Sequence, residues 1–191
     1  FSPPRRAATA FWFLGGPAAL YVVVFVGMFG LALSGVALPG PDADIASPRE
    51  FSNADMAFSY PGNWSVTETK ETAEAAAQVQ ARPKQDAAIS FSSFKPLGSA
   101  AGHLEAWSTA MAKELKDCEE IGLLPAWGVF VGEGRRLTGR RMGKEFEARC
   151  LIAPLAEDRF LVVEEIAQRS ALKKVQPGFD LIRRTFRWLR E

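Results

Sequence analysis

Apolar and polar positions change their spacing several times along this 191-residue chain. The first stretch does not alternate at all. No charge falls between Arg6 and Asp42, and Phe11 to Leu38 is a single apolar run, FWFLGGPAALYVVVFVGMFGLALSGVAL. A helix needs about 20 apolar residues to cross a bilayer core roughly 30 Å thick. The run therefore predicts a transmembrane helix over 11–38, with Ala18 to Leu38 as its core. Pro17 is tolerated near the helix start, and Pro39-Gly40-Pro41 stops it. Residues 1–10 read as a short tail. Residues 39–55, PGPDADIASPREFSNAD, lack any period and read as a linker.

From Met56 the spacing becomes that of a folded domain covering 56–191. Phe58 and Tyr60 alternate with small residues, Pro61-Gly62-Asn63 signals a turn, and Trp64 and Val66 resume the alternation. Residues 75–82 are ambiguous between helix and strand, and 88–95 (AISFSSFK) predict a strand. At His103 the period shifts: Leu104, Trp107, Met111 and Leu115 recur at three and four residues, one apolar face of a helix. Residues 117–126 read as a loop. Three strands are predicted next, at 127–137, 145–153 and 159–167, joined by short links as in an antiparallel meander. The turn between the first two is placed at Gly139 to Gly143. Pro177-Gly178 precedes a last amphipathic helix with Phe179, Ile182, Phe186 and Leu189 on one face. The order of elements predicts an α+β fold, an antiparallel sheet covered by helices.

Charge adds orientation and excludes one function class. Arg5 and Arg6 precede the apolar run while Asp42 and Asp44 follow it, so the tail is expected in the cytoplasm and the domain outside, in a periplasm or lumen. A cleaved signal peptide has a shorter apolar region of about 7–15 residues, which favours a retained anchor. With Arg5 and Arg6 removed, 21 basic residues face 22 acidic ones. That near-neutral balance argues against nucleic-acid binding.

Candidate chemistry is sparse. His103 is the sole histidine, and one histidine builds neither a metal cluster nor a hydrolytic triad without partners from elsewhere. Glu164-Glu165 and the run Asp117, Glu119, Glu120 lack the spacing of a calcium loop and read as solvated faces. Gly128, Gly132 and Gly134 do not form a dinucleotide fingerprint and read as bulges or tight packing. No catalytic, cofactor or metal residue is assigned. Cys118 and Cys150 are either a disulfide or two half-buried thiols. Arg135, Arg136, Arg140, Arg141 and Lys144 crowd one hairpin, which is either a solvated tip or a contact for an acidic partner or lipid headgroups. Gly27, Gly30, Ser34 and Gly35 fall on one side of the apolar helix. They are either a docking face for another membrane helix or the ordinary glycine content of such helices.

Several segments resemble the PsbP-like domain family, which includes the extrinsic PsbP protein of photosystem II and bacterial DcrB-type relatives. They are the opening FSYPGNW, the strand AISFSSF, the helix and three-stranded stretch after it, and the closing GFDLIRRTF. The resemblance spans residues 56 to 190. It implies an α-β-α sandwich and an accessory or assembly role at a membrane complex, photosynthetic or respiratory, with no cofactor. Together these readings predict a non-catalytic single-span subunit whose partners are integral membrane proteins and the bilayer. The alternative is a tethered module that binds a small ligand in an apolar pocket.

Overall fold

A computed structural model describes residues 41–69, 78–83, 87–94, 99–155 and 159–190. The predicted tail, the apolar run 11–38 and its Gly27, Gly30, Ser34 and Gly35 lie outside the described residues. Among the described residues, no helix is long and apolar enough to cross a membrane.

The centre is a seven-stranded antiparallel sheet in the order β3-β4-β5-β11-β10-β9-β6. Its strands are β3 (Ser65–Thr69), β4 (Gln78–Arg82), β5 (Ala87–Phe94), β6 (Lys116–Leu123), β9 (Glu133–Arg141), β10 (Lys144–Pro154) and β11 (Phe160–Gln168). Strand β10 shows why the sheet has two covered faces. Phe146, Ala148, Cys150 and Ile152 point to one side and Leu151 and Ala153 to the other, and all six are buried. Helix α1 (Ala100–Glu114) covers the first side with Leu104, Trp107 and Met111. Ser99 caps it by accepting from the Gly102 N–H, satisfying a donor that the helix start leaves open. Helix α2 (Leu172–Thr185) covers the other side with Val175, Phe179 and Ile182. The result is helix, sheet, helix.

A second sheet completes the α2 side. It joins β1 (Arg49–Ser52), β2 (Met56–Tyr60) and β12 (Arg187–Trp188), with β2 in the middle. Phe58, Phe91, Trp127 and Phe186 meet there as a ring cluster, with centroids 4.7 to 6.1 Å apart among the contacting pairs. Tilted and edge-on aromatic contacts at such distances add to the burial itself.

Five elements differ from the sequence expectation. The strand expected at 127–137 is broken: Ala126–Trp127 folds back on Phe130–Val131 through a turn at Gly128, and β9 starts only at Glu133. The segment read as a linker contains β1, and it is docked further upstream: the Ala43 N–H donates to the Lys174 carbonyl, and Asp44 bonds with Gly62 and Asn63. The loop expected at 117–126 is mostly β6. It is an edge strand with exposed or half-exposed positions throughout and bulges near Asp117 and Gly122, so no period shows in its sequence. The turn expected at Gly139 to Gly143 is only Met142-Gly143, both at positive φ as a two-residue hairpin requires. Helix α2 begins seven residues before Phe179, runs through Pro177 and ends before Phe186, which enters the core from extended backbone while Leu189 stays exposed. Gly178 is needed where it stands, because a Cβ there would come within 2.5 Å of the Trp64 ring.

Candidate functional site

The predicted basic cluster is brought to one hairpin, β9–β10, but the sheet distributes it over two faces. Arg135 reaches α1 and pairs with Glu105 at 3.0 Å. Arg136 lies on the opposite face and pairs with Glu147 at 2.9 Å. Arg140 lies near Asp117 and Glu145, and Arg141 near Glu114. Lys144 also has a partner. The hairpin is therefore laced with ion pairs between neighbouring elements.

The disulfide alternative is corrected: Cys118 and Cys150 are free thiols. Cys118 lies beside Gly139, which pairs with Phe146, four residues from Cys150 on β10. Two strand spacings and four residue rises separate the cysteines by roughly 16 Å, well beyond the roughly 4.4–6.8 Å of a bonded pair.

On the α2 face, the sheet builds a ladder of charges that the sequence reading missed. Arg136, Arg149 and Glu165 stand directly across from one another on β9, β10 and β11. Glu147 Oε1 accepts from Arg136 and from Arg149, each at 2.9 Å, which offsets the repulsion of two adjacent arginines. Burial alone would raise the Glu147 pKa, but the two guanidiniums outweigh it and hold the carboxyl below its ordinary range. Glu165 is 3% exposed. It accepts from Arg149 at 3.1 Å, from Arg183 at 2.9 Å and from the Trp127 indole at 2.7 Å. Arg183 also bonds Asp180 and lies over the Trp127 ring, 5.9 Å from its centroid. A buried carboxylate is tolerated only with such partners.

Glu164 faces the other way and has no cation against it among the described residues. Ser90 donates to it at 3.1 Å, Trp107 of α1 also donates, and Cys150 stands opposite it in register. Burial pushes its pKa up to about 8. Burial, with the Glu164 charge beside it, also raises the Cys150 thiol. The expected solvated Glu164-Glu165 pair is thus two buried groups on opposite faces. A signal was present in FLVVEEIA: both odd and even positions of β11 are apolar around the glutamates, the mark of a strand covered on both sides. His103 sits in the first turn of α1, its pKa lowered by burial.

The ladder ends at a small hairpin, β7 (Ala126–Trp127) and β8 (Phe130–Val131). Its inner face is fixed: Trp127 is latched to Glu165, and the Phe130 ring meets Phe186 at 5.6 Å. Its outer face is bare. Val129 is 84% exposed and Val131 72%. Gly128, at φ +61°, lets the turn press on α2, where a Cβ would come within 2.8 Å of the Arg183 carbonyl oxygen. Gly132 and Gly134 likewise sit against backbone, the tight packing their sequence context predicts.

An antiparallel sheet between two helices, with a small second sheet, is the PsbP-like fold. No family model and no curated protein matches the chain. Among solved structures, the solution structure of cyanobacterial PsbP (CyanoP) from Synechocystis sp. PCC 6803 is similar with a TM-score of 0.51 and 15% identity, covering 81% of this chain and 96% of that one. LpqN of Mycobacterium tuberculosis, involved in cell envelope biogenesis, gives 0.46 at 15% identity over 78% and 99%. The Saccharomyces cerevisiae Ran-binding protein Mog1p gives 0.48 at 9% identity over 75% and 96%. At these identities the likeness is one of fold.

Proposed function

We propose that the chain is a non-catalytic, single-span accessory subunit of a larger membrane protein complex. In this reading the apolar run 11–38 anchors it in an inner or photosynthetic membrane, and the PsbP-like domain lies on the periplasmic or lumenal side. The resemblance favours a photosynthetic or respiratory electron-transfer assembly as the complex. One observation carries the docking role: the charge ladder on the α2 side of the sheet is internally matched, yet two aliphatic side chains of the β7–β8 hairpin, Val129 and Val131, lie more than two-thirds exposed. Neighbouring apolar side chains left bare on one tip support an interaction site there. Two weak contacts on one chain, a helix in the bilayer and a domain outside it, raise each other's effective concentration.

Purification of the full chain from its own membranes in mild detergent tests this. Co-migration with integral membrane proteins is expected. Recovery as a free monomer, with no membrane protein alongside after cross-linking in intact membranes, would overturn the reading.

A further inference from the structure

Twelve consecutive residues, Ile121 to Gly132, carry no charge, although Glu120 and Glu133 flank them. Trp127 and Phe130 occupy the inner face of the ribbon they form. Val131 stands opposite Ala126 on the outer face, with Val129 at the turn. Apart from the buried Trp127 indole, no side chain from Gly128 to Val131 offers a hydrogen bond.

Three charges without an ion pair among the described residues lie near this tip, Glu133 just after it in the chain and two arginines, which leaves a net positive charge. The Gly128 and Phe130 contacts place the hairpin over Arg183 and Phe186. Arg184 and Arg187, next in the chain to those two residues, are exposed and form no ion pair among the described residues. The contrast with Arg135, Arg136, Arg149 and Arg183, each held by a carboxylate, is local and sharp. An aliphatic tip with free arginines at its side fits the boundary of an anionic bilayer. The arginines meet headgroup phosphates and the aliphatic groups meet the acyl boundary.

We propose that the β7–β8 corner, with Val129 at its tip and Arg184 and Arg187 beside it, rests on the surface of an anionic lipid bilayer. The inference rests on the accessory-subunit reading, in which the apolar run 11–38 holds the chain at a membrane. The geometry of α2 fits both contacts. Ala43 is bonded to Lys174 near one end of the helix, and the hairpin sits over the other end, about 16 Å away at 1.5 Å per residue. Four residues, 39–42, separate Ala43 from the apolar run, and the five steps from Leu38 to Ala43 reach at most about 18 Å. A helix α2 lying along the membrane brings both of its ends to the surface.

The test uses the full chain with Cys118→Ser and Val129→Cys, the new thiol carrying an environment-sensitive fluorophore; Cys150 is buried and out of reach. The labelled chain is placed in nanodiscs of phosphatidylcholine with or without phosphatidylglycerol. In discs with phosphatidylglycerol, blue-shifted emission and quenching by brominated acyl chains are expected. A label at Met142→Cys, on the turn at the far end of β9, is expected to stay unquenched. Arg184→Gln with Arg187→Gln is expected to lower the docking constant about thirty-fold, at about fivefold per basic residue near an anionic surface. No quenching at position 129, or quenching indifferent to phosphatidylglycerol and to the two arginines, overturns the proposal. So does a label shielded only when a protein partner is present, although that result leaves the accessory reading intact. A lipid-docked tip on a chain that never co-purifies with a membrane protein does the reverse.

Discussion

Replacing Glu164 with glutamine is expected to make the domain more stable at neutral and alkaline pH. The carboxyl sits between α1 and the sheet with Ser90, Trp107 and Cys150 around it and no cation among these neighbours. Its folded pKa is about 8 against an ordinary 4.5. A carboxyl whose pKa is raised on folding contributes its full stability below pH 4.5. That contribution drains away as pH rises toward 8 and is gone above it. At pH 7 the loss is roughly 3 kcal/mol, and above pH 8 it reaches roughly 5 kcal/mol, at about 1.4 kcal/mol per pKa unit. Glutamine keeps an acceptor for Ser90 and Trp107 and does not ionise. It adds an amide that must find an acceptor; Ser92 Oγ, buried on the same sheet face without a hydrogen-bond partner, is one candidate. An imperfect fit costs about 1 kcal/mol. The variant should therefore gain about 2 kcal/mol over the parent at pH 7 and more at pH 8.5, and should match or fall below it at pH 4.5. Urea denaturation of both proteins across this range measures the difference, and other titrating groups cancel in it. Two curves that run parallel from pH 4.5 to 8.5 would refute the reasoning.

The latch and the thiols make separate predictions. Arg183→Leu leaves the buried Glu165 with one cation fewer, so roughly 2–4 kcal/mol of stability should be lost. Arg184→Leu, one residue along on the exposed side, should change stability by less than about 0.5 kcal/mol; equal effects in denaturant melts would dismiss the ladder. In the native protein, Ellman's reagent should titrate the half-buried Cys118 slowly and Cys150 only on unfolding. Equal rates for the two thiols would contradict the fold around β10.

The parts of the fold visible in the sequence are those where one side of an element is apolar and the other is small or polar. Leu104, Trp107, Met111 and Leu115 announce α1 because the positions between them are small or polar, and Phe146 to Ile152 announce β10 because Glu145, Glu147 and Arg149 alternate with them. Strand β6 escapes notice for the opposite reason: KDCEEIGL lies at an edge, buries almost nothing and is held by pairing with β9. Pro177 misplaces the start of α2, because the Leu172, Val175, Phe179, Ile182 stripe outweighs the one hydrogen bond that proline removes. The charge ladder depends on cross-strand register, and register is a long-range property. Nothing near Glu165 in the chain indicates that Arg149, Arg183 and Trp127 converge on it. The bare corner was half legible, since a charge-free dozen residues is plain in the sequence but its outward-facing half is not.

Strand β2 is flanked by β1 from the start of the described chain and by β12 from its end, and Leu189 and Arg190 add bonds to Asp55. Phe186, at the heart of the aromatic cluster, arrives with that same late segment. A chain made from N- to C-terminus therefore leaves the α2-side core open until Phe186 and β12 have emerged. Until then the rings of Phe58, Phe91 and Trp127 lack the one at their centre.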